Sequence, residues 1–434
     1  MKIVKGFRDI TPFGKNPTET SSYWNYIVKN LKDTMDIYNF SEIITPVLEH
    51  TSTFKTGIGS DTDIVSKEMY EFSLRNQEKE DVSYCLRPEG TAPIVRSYIE
   101  NSLYKLKKIN KLFYLGPMYR YERSQKGRYR LFHQVGVELL GSNEIYHEVE
   151  ILHLAKDLLE KVEIEDYVFQ INSIGDSSSL KKISSAVKEF GTKHKQSIEK
   201  SDFEILKKNP LRFLDKAIHK YNFDNIPNTS DYVSAYSLKR FKELKRILDD
   251  LGFPYKENNQ LIRGIDYYND FVFEATSSSL GSQDAILAGG RYDALVENLG
   301  GPPTKAIGFA AGIERMLLLI QERLKEIDSN TDSNEIDFYI AYQNSDFLEY
   351  SFKITNELRR NGFKVEIEYD NKSFVKQMKS ANKLSSRYVA IIGEEEHKNS
   401  TVRIKNMSTG DEKLVDLDSE FIDVLIEEMS SSLS

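Results

Sequence analysis

A row of polar side chains interrupts an apolar strand pattern between Tyr119 and Gly141, in YRYERSQKGRYRLFHQVGVELLG. Alternate residues of a strand share one face. One face of this segment therefore collects Arg128, Arg130, Phe132, Gln134, Gly136 and Glu138, and the residues between them form an ordinary core face. Arg120 projects to the polar side if the register of the preceding strand permits. Cations bind phosphates, a ring stacks on a base, and a glycine admits close approach of a ligand. The face is either the floor of a ligand site or a solvated face of an antiparallel sheet.

A further arginine stands at the start of a predicted helix. In GFAAGIERMLLL the apolar residues follow the spacing of a buried helical stripe that begins near Gly312. Arg315 then lies in the first turn, where the helix dipole disfavours a cation. A phosphate shared by the arginine and the helix N-terminus would explain this placement. A surface arginine paired with a glutamate explains it equally well.

Two more stretches group polar residues with tyrosines or glycines. LIRGIDYYNDFVFEA places charged residues and paired tyrosines around a strand, which is typical either of a polar pocket or of a satisfied core network: Arg263, Asp266, Tyr267, Tyr268 and Glu274. AGGRYDAL, with Gly289 and Gly290, is in isolation a loop.

A basic stripe marks a predicted helix near the C-terminus. At helical spacing, one face carries Lys372, Lys376, Lys379, Lys383 and Arg387. The opposite face carries Phe374, Val375, Met378 and Ala381. The stripe is either a solvated face or a contact for a phosphate backbone.

The chain as a whole limits these interpretations. It has 434 residues and a net charge of −8, which argues against a protein generally coated with nucleic acid. One cysteine and seven scattered histidines argue against disulfides and a structural metal site. Neither common glycine-rich nucleotide motif is present. There is no signal-peptide pattern and no apolar run of membrane-spanning length, so we expect a cytoplasmic protein with no membrane partner.

The elements that position these residues fall into several regions. Apolar spacing predicts helices over residues 20–38 and 142–165 and from Thr91 onward. Residues 41–50 are typical of a strand broken by Pro46, and residues 111–140 of a hairpin with the turn SQKG. An α-rich insertion follows, then strands, then a strand-to-helix unit at 305–324. KEIDSNTDSNE is the best linker, and strands alternate with helices after it.

Together these stretches resemble histidyl-tRNA synthetases over essentially the whole chain. ITPVLE, YRYERSQKGRYRLFHQ and GFAAGIERMLLL are similar, in order, to motifs 1, 2 and 3 of class II aminoacyl-tRNA synthetases. LRPEGTA, RGIDYYNDFVFE and AGGRYDAL are more specific, and the middle one is peculiar to the histidine branch. The resemblance implies an α+β fold. A class II antiparallel-sheet catalytic domain (1–325, with a helical insertion at about 170–255) would be joined by a linker (326–334) to an α/β anticodon-binding domain (335–434).

The resemblance also implies an activity. ATP, with Mg²⁺ bound to it, would activate L-histidine to histidyl-adenylate, and the histidyl group would pass to the terminal adenosine of histidine tRNA. The residues implied for ATP are Arg120, Glu122, Arg128, Phe132 and Arg315. Those implied for histidine are Glu89, Thr91, Gln134, Glu138, Tyr267 and Tyr268. Arg263 would lie between the histidine carboxylate and the α-phosphate, and with Arg120 it is the implied catalytic group.

Partners and alternatives follow from the same resemblance. A homodimer built through motif 1 is implied. The residues implied for tRNA are Arg123, Gln125 and Lys126 at the hairpin tip, and Lys372, Lys376, Lys379 and Lys383. Leu131, Phe271 and Pro93 depart from the family pattern, but none of them carries an assigned role. The alternative function is that of a synthetase-like regulatory subunit of ATP phosphoribosyltransferase, which typically lacks the C-terminal domain. A class II synthetase for another amino acid and a generic nucleic-acid-binding protein are the remaining alternatives.

Overall fold

The computed structural model describes residues 1–60, 62–73, 83–122, 127–281, 284–324, 336–370, 372–418 and 420–431, without the side chains of 216–219 and 427–431. The chain divides into two compact units, Met1–Glu322 and Arg323–Ser434. None of the helices in these ranges has both the length and the apolar composition needed to span a bilayer.

The first unit contains a large sheet and a small one. Its strands are β1 (Ser41–Glu42), β2 (Leu48–His50), β3 (Tyr70–Phe72), β4 (Tyr84–Leu86), β5 (Asn110–Tyr119), β6 (Leu131–Leu140), β7 (Val168–Gly175), β8 (Lys256–Glu257), β9 (Asn269–Thr276), β10 (Ala285–Arg291) and β11 (Ala306–Gly312). The large sheet has the order β1-β5-β6-β11-β10-β9-β7-β8, and the small one has the order β2-β4-β3. The six central strands of the large sheet are antiparallel to their neighbours, and only the short edge strands β1 and β8 pair in parallel.

The predicted hairpin and the predicted break at Pro46 are both present. β5 pairs with β6 from Asn110 opposite Leu140 to Tyr119 opposite Leu131. Because proline cannot donate to a strand ladder, the segment 41–50 divides at Pro46. Its first part joins the large sheet as β1, and its second part joins the small sheet as β2.

Helices surround the sheets of the first unit. They are α1 (Ser21–Ile37), α2 (Thr51–Ile58), α3 (Thr91–Glu100), α4 (Leu103–Leu106), α5 (Ile145–Lys161), α6 (Ser177–Lys193), α7 (Lys200–Lys208), α8 (Pro210–Lys220), α9 (Ala235–Asp250), α10 (Leu295–Asn298) and α11 (Ile313–Leu319), with a π-helical turn at Ile64–Glu68. The predicted helix at 20–38 is confirmed as α1, which buries Trp24, Ile27, Leu31 and Met35. The predicted helices at 142–165 and from Thr91 are confirmed as α5 and α3.

The helical insertion begins later than its prediction. Residues 168–175 form β7, which pairs with β9 inside the large sheet. The prediction that helical structure starts near residue 170 is therefore wrong. The alternation of buried and exposed side chains is hidden here, because most of VFQINSIG is buried. Helices α6 to α9 then follow. A buried ion pair connects α9 to α5, with Arg240 Nη2 2.7 Å from Glu148 Oε1, and Arg291 Nε at the end of β10 lies 3.4 Å from the same oxygen.

The second unit alternates strands and helices. Its elements are β12 (Phe338–Tyr342), α12 (Leu348–Arg360), β13 (Val365–Ile367), α13 (Phe374–Lys383), β14 (Tyr388–Ile392), α14 (Glu394–Asn399), β15 (Thr401–Asn406), β16 (Glu412–Asp416) and α15 (Phe421–Ser431). The sheet order is β13-β12-β14-β15-β16. The three predicted strands pair in parallel, and β15 and β16 add an antiparallel hairpin that the sequence analysis missed.

The predicted inner face of the basic helix α13 is confirmed in part: Ala381 is buried and Met378 packs against the core. Phe374 and Val375 were placed on the apolar inner face, yet Val375 is 64% exposed and Phe374 lies at the surface. Gln377 is fully buried as well; its Nε2 donates to the Tyr342 carbonyl over 2.9 Å and its Oε1 accepts from the Tyr342 amide over 3.0 Å. The amide satisfies backbone groups of a strand, a role that hydrophobic spacing does not show, so the predicted face was wrong at Phe374 and Val375.

Candidate active site

A cavity of about 370 Å³ in the first unit gathers residues from strands, helices and loops that are far apart in the sequence. Every residue predicted for ATP or histidine lines it: Glu89, Thr91, Arg120, Glu122, Arg128, Phe132, Gln134, Glu138, Arg263, Tyr267, Tyr268 and Arg315. The polar face of β6 therefore borders a cavity, and the alternative of a solvated sheet face is wrong.

Three arginines lie at one end of this cavity, Arg120, Arg128 and Arg315, with Glu122 beside the first two and Glu68 close enough to act on the same pair electrostatically. Arg128 Nη1 lies 2.9 Å from Glu122 Oε2, and Arg120 Nη1 lies 3.9 Å from Glu122 Oε1. Arg315 is anchored by donation to the Ala285 carbonyl oxygen. Burial lowers the pKa of Arg315, and so do the neighbouring cations Arg128 and Arg120. A surplus of cations at a concave surface is a site for an anion with several charges.

The aromatic member of the polar face lies beside these cations, but Arg130 does not. The Arg120 guanidinium lies over the Phe132 ring, 5.2 Å from its centroid. β6 begins at Leu131, so strand alternation does not reach back to Arg130, and its placement on the ligand-facing side is wrong. The Arg130 guanidinium instead lies 4.0 Å from the Tyr121 ring centroid, and its backbone N–H donates to the Gly6 carbonyl oxygen. Arg130 thus holds the N-terminal segment.

Glu314 ties the helix that carries Arg315 to β6 and to the N-terminal segment. Its carboxylate accepts from the His133 backbone N–H at 2.9 and 3.0 Å and pairs with Arg8. The Arg8 guanidinium also lies 3.8 Å from the Tyr129 ring centroid. Neither Arg8 nor Glu314 was predicted from the sequence, because the contacts that join Glu314 to Arg8 and to His133 each span more than a hundred residues.

The opposite end of the cavity is built on a buried carboxylate. Thr91 Oγ1 donates to Glu138 Oε1 over 2.7 Å, and the Tyr292 hydroxyl donates to Oε2. Burial raises the pKa of Glu138 to about 8 despite these two donors. A Cβ on Gly308 would lie 2.2 Å from Oε2, so only glycine fits at that position. Tyr292 was missed because AGGRYDAL was interpreted as a loop, whereas its glycines lie in β10.

Three further side chains complete this end. Glu89 accepts from the backbone N–H groups of Thr91 and Ala92, both at 2.8 Å, and so caps helix α3. Burial raises the pKa of Glu89. The rings of Tyr267 and Tyr268 lie 4.7 Å apart, and burial raises the pKa of Tyr268 to about 12. Two neutral hydroxyl groups therefore face the cavity beside the acids.

Gly136 serves a neighbouring side chain of the protein. A Cβ at Gly136 would lie 2.4 Å from Cζ of Tyr114, and a Cβ at Gly90 would lie 2.3 Å from the same ring. The prediction that Gly136 admits a ligand is therefore wrong, because the Tyr114 ring already fills that space. Tyr114 itself lines the cavity and was not predicted. A tyrosine in a strand is common, so the sequence gives no signal for it.

The loop from Arg263 to Tyr268, hereafter the 263–268 loop, connects the two ends. Arg263 Nη1 donates to Glu274 Oε2 over 2.9 Å, and its buried Nε has no hydrogen-bond partner among the described residues. Asn209, which precedes helix α8 of the insertion, donates to both carboxylate oxygens of Asp266, at 3.1 and 3.2 Å. The insertion therefore supports the loop that carries Arg263.

The residues predicted for tRNA are not part of this cavity. Arg123, Gln125 and Lys126 lie outside the described residues. Lys372 precedes α13 and pairs with Glu368 over 2.6 Å. Three exposed lysines follow along α13 in the second unit: Lys376, Lys379 and Lys383. Within the described ranges there is no cluster of three or more His, Cys, Asp or Glu residues that could hold a metal ion.

Comparisons with known proteins give the same family over nearly the whole chain. The sequence model of histidyl-tRNA synthetases matches residues 15–316, and that of the anticodon-binding domain matches residues 337–428. The histidine–tRNA ligase of Aquifex aeolicus is 39% identical over 419 residues, covering 96% of this chain and 99% of that one. The histidine–tRNA ligase of Fervidobacterium nodosum is 38% identical over 413 residues, covering 94% of each.

A solved structure gives the same result. The apo histidyl-tRNA synthetase of S. aureus superposes with a TM-score of 0.78 at 32% identity, covering 99% of both chains. The predicted α+β fold, with an antiparallel sheet and a C-terminal anticodon-binding domain, is confirmed. From the extent of these matches, the chain belongs to the histidyl-tRNA synthetase family.

Proposed function

We propose that the cavity is the site at which ATP activates L-histidine, before the histidyl group passes to the terminal adenosine of histidine tRNA. The chain is an aminoacyl-tRNA synthetase by family. The observation that carries the proposal for this cavity is its polarity, with an arginine cluster at one end and a buried carboxylate with hydroxyl groups at the other. The regulatory-subunit alternative is not favoured, because full-length relatives are ligases and the anticodon-binding model matches residues 337–428.

The arginine end receives ATP. Arg120 binds the α-phosphate and Arg315 binds the γ-phosphate. Arg128 helps to neutralise the negative charges of the phosphate groups, which would otherwise repel one another. Phe132 stacks on the adenine, and Glu122 accepts from the adenine amino group once ATP loosens its contact with Arg128. All five side chains line the cavity, which supports these roles.

The carboxylate end receives histidine. Glu138 and Tyr268 bind the two imidazole nitrogens, with Tyr267 beside them, and Glu89, Thr91 and Gln134 bind the α-amino group. The support is chemical. An imidazole needs one acceptor and one group able to donate, and a carboxylate beside a neutral phenol provides both. An amino acid without ring nitrogens would leave Glu138 and Tyr268 buried and unpaired, which costs it affinity.

Arg263 stands where the two substrates meet. A carboxylate oxygen of histidine attacks the α-phosphorus of ATP, and the bond from that phosphorus to the pyrophosphate oxygen breaks. Negative charge accumulates on the α-phosphate oxygens in the transition state, and Arg263 together with Arg120 stabilises it. The Nε of Arg263, without a partner among the described residues, is a donor held ready by the Glu274 contact. A terminal hydroxyl of tRNA then attacks the acyl carbon of the adenylate, and AMP leaves.

The residues present fit a magnesium ion carried mainly by ATP. Mg²⁺ keeps several waters and takes one or two carboxylates besides phosphate oxygens. Because Glu122 is proposed for the adenine, phosphate oxygens and water would hold the ion, and no protein carboxylate is assigned to it. Once bound, the ion neutralises phosphate charge.

Contacts with tRNA and with a second copy complete the proposal. The anticodon stem is bound by the exposed lysines of α13 and by the lysine that precedes it: Lys372, Lys376, Lys379 and Lys383. The acceptor end is bound at the hairpin tip, by Arg123, Gln125 and Lys126. Ile44 is 84% exposed and Leu48 40% exposed on either side of Pro46, which supports a homodimer through motif 1. The location in the cytoplasm stays a prediction.

Exchange of pyrophosphate into ATP tests the proposal directly. The purified protein is incubated with ATP, labelled pyrophosphate and each amino acid in turn. We expect exchange with histidine alone, and histidine-dependent charging of histidine tRNA. Folded protein that supports no exchange, or exchange with a different amino acid, would refute the proposed activity.

A further inference from the structure

Tyr114 presents to the cavity a buried hydroxyl that no described residue satisfies. The side chain is 3% exposed and lines the cavity, and its Oη has no hydrogen-bond partner in the described part of the chain. Gln134 Oε1 is also buried and, among the same residues, also without a partner. An unsatisfied buried polar atom costs free energy, so two of them beside one cavity point to a ligand that satisfies both.

The strand register brings these two oxygens to the same side. Tyr114 lies opposite Gly136 and Gln134 lies opposite Gly116 in the β5–β6 ladder. The two positions are therefore two rows apart on one face of the sheet. The Tyr114 ring is packed between Gly90 and Gly136, so close to both that a Cβ on either one would overlap it, and this packing restricts its movement. The hydroxyl is thus held in place before a ligand arrives.

The charges around Tyr114 select the chemistry of that ligand. Both Glu138 and Glu89 act electrostatically on the Tyr114 hydroxyl, and burial is the main reason that its pKa is raised well above the ordinary value. The hydroxyl is therefore neutral and has an acceptor lone pair. A primary ammonium has three donors and no acceptor, so it pairs with two neutral oxygens and with the negative charge of Glu89. A ligand carboxylate in this place would be repelled by Glu89 and Glu138.

We infer that Tyr114 is a substrate-binding residue, whose hydroxyl accepts a hydrogen bond from the α-ammonium of the amino acid together with Gln134 Oε1. The inference rests on the proposed function and adds a residue to it. It also gives Gly90 and Gly136 a function: they make room for the ring that fixes this acceptor. An acceptor locked in place loses no side-chain freedom on binding.

A cycle of two changes isolates the contact. One change is Tyr114→Phe, which keeps the ring, and the other removes the ammonium from the ligand by using 3-(imidazol-4-yl)propionate. Titration calorimetry measures the dissociation constants of both ligands with both proteins. For histidine we expect Tyr114→Phe to weaken binding about 10- to 100-fold, the cost of a lost hydrogen bond to a charged group. For the deamino analogue we expect a change of less than about threefold.

Matched measurements separate this contact from a packing role. Tyr98→Phe removes the hydroxyl of another tyrosine, 1% exposed on α3 and outside the cavity lining, and should leave both dissociation constants unchanged. The Tm of Tyr114→Phe should equal or exceed that of the wild type, because the variant loses an unsatisfied buried group.

Two results would overturn the inference: unchanged histidine binding by Tyr114→Phe, or equal weakening of histidine and its deamino analogue. Failure of the proposed function is visible separately, in pyrophosphate exchange by the wild-type protein. If another amino acid supported exchange, the same cycle would be run with that amino acid and its deamino analogue, since every amino acid carries the α-ammonium.

Discussion

Replacing Glu138 by glutamine probes the buried carboxylate at the histidine end of the cavity. Glu138 is 1% exposed, and burial raises its pKa from 4.5 to about 8. Between these two values the folded chain holds a proton that the unfolded chain has released. The free energy of unfolding of the wild type therefore falls as the pH rises from about 4.5 to about 8, and the loss is complete above that. Glutamine does not titrate, so Glu138→Gln escapes this loss.

The size of the effect follows from the distance between the two pKa values. A difference of one in pKa corresponds to about 1.4 kcal/mol, so the whole range is worth on the order of 4–5 kcal/mol. As the pH rises toward about 8, the free energy of unfolding of the variant should gain on that of the wild type by about 1.4 kcal/mol per pH unit. For a unit of this size, Met1–Glu322, that corresponds to a Tm difference that grows by about 2 °C per pH unit.

Calorimetric unfolding without substrates, from about pH 5.5 to about pH 8.5, measures this difference. Glu297→Gln, at an exposed position on α10, is the matched control, and its Tm should change with pH in the same way as that of the wild type. A difference between Glu138→Gln and wild type that is constant or that narrows with rising pH would refute the reasoning. Above about pH 8, where Glu138 is a carboxylate, the same variant should raise the KM for histidine by at least about tenfold, because an amide is a weaker acceptor than a carboxylate, with little change in the KM for ATP.

Three further predictions concern other parts of the chain. Arg263→Ala should reduce pyrophosphate exchange by at least about 1000-fold, because it removes charge stabilisation, while the dissociation constant of histidine changes less than about threefold; near-normal exchange would contradict its role. Asn209→Ala frees the 263–268 loop from the insertion and should raise the KM for histidine about 3- to 10-fold in exchange assays, and an unchanged KM would show that the loop needs no such support. Replacing Lys376, Lys379 and Lys383 by glutamine should weaken tRNA charging about tenfold or more at moderate salt and leave exchange intact, and equal charging by the variant would exclude a tRNA contact there.

Local periodicity predicted the elements that surround the cavity. The period of two placed Phe132, Gln134 and Glu138 on one face of a strand, and β6 has them on one cavity wall. Helical spacing placed Arg315 in the first turn of α11. How Thr91 and the 263–268 loop reach the same wall depends on contacts between distant segments, which periodicity does not contain. That part of the cavity came from the family motifs.

The errors share a physical cause. Arg130 precedes the strand whose alternation was extended to it, and strand ends are set by hydrogen bonds that the pattern does not show. Gly136 looked like a gap for a ligand, but a ring from the neighbouring strand fills the gap. Val375 was assigned to the buried face of a helix in which Gln377 is buried instead. In each case a long-range polar or packing contact overrode a local preference.

The ion pair between α5 and α9 limits how this protein can be shortened. Glu148, 1% exposed, meets Arg240 from the insertion and Arg291 from β10. Deleting the helices of the insertion would take away Arg240 and leave a buried carboxylate with fewer partners, which is strongly destabilising. A minimal catalytic fragment would therefore need a compensating change at Glu148. The insertion is not an independent module that can be removed or exchanged, and chimeras between relatives should keep Glu148, Arg240 and Arg291 together as one inherited set.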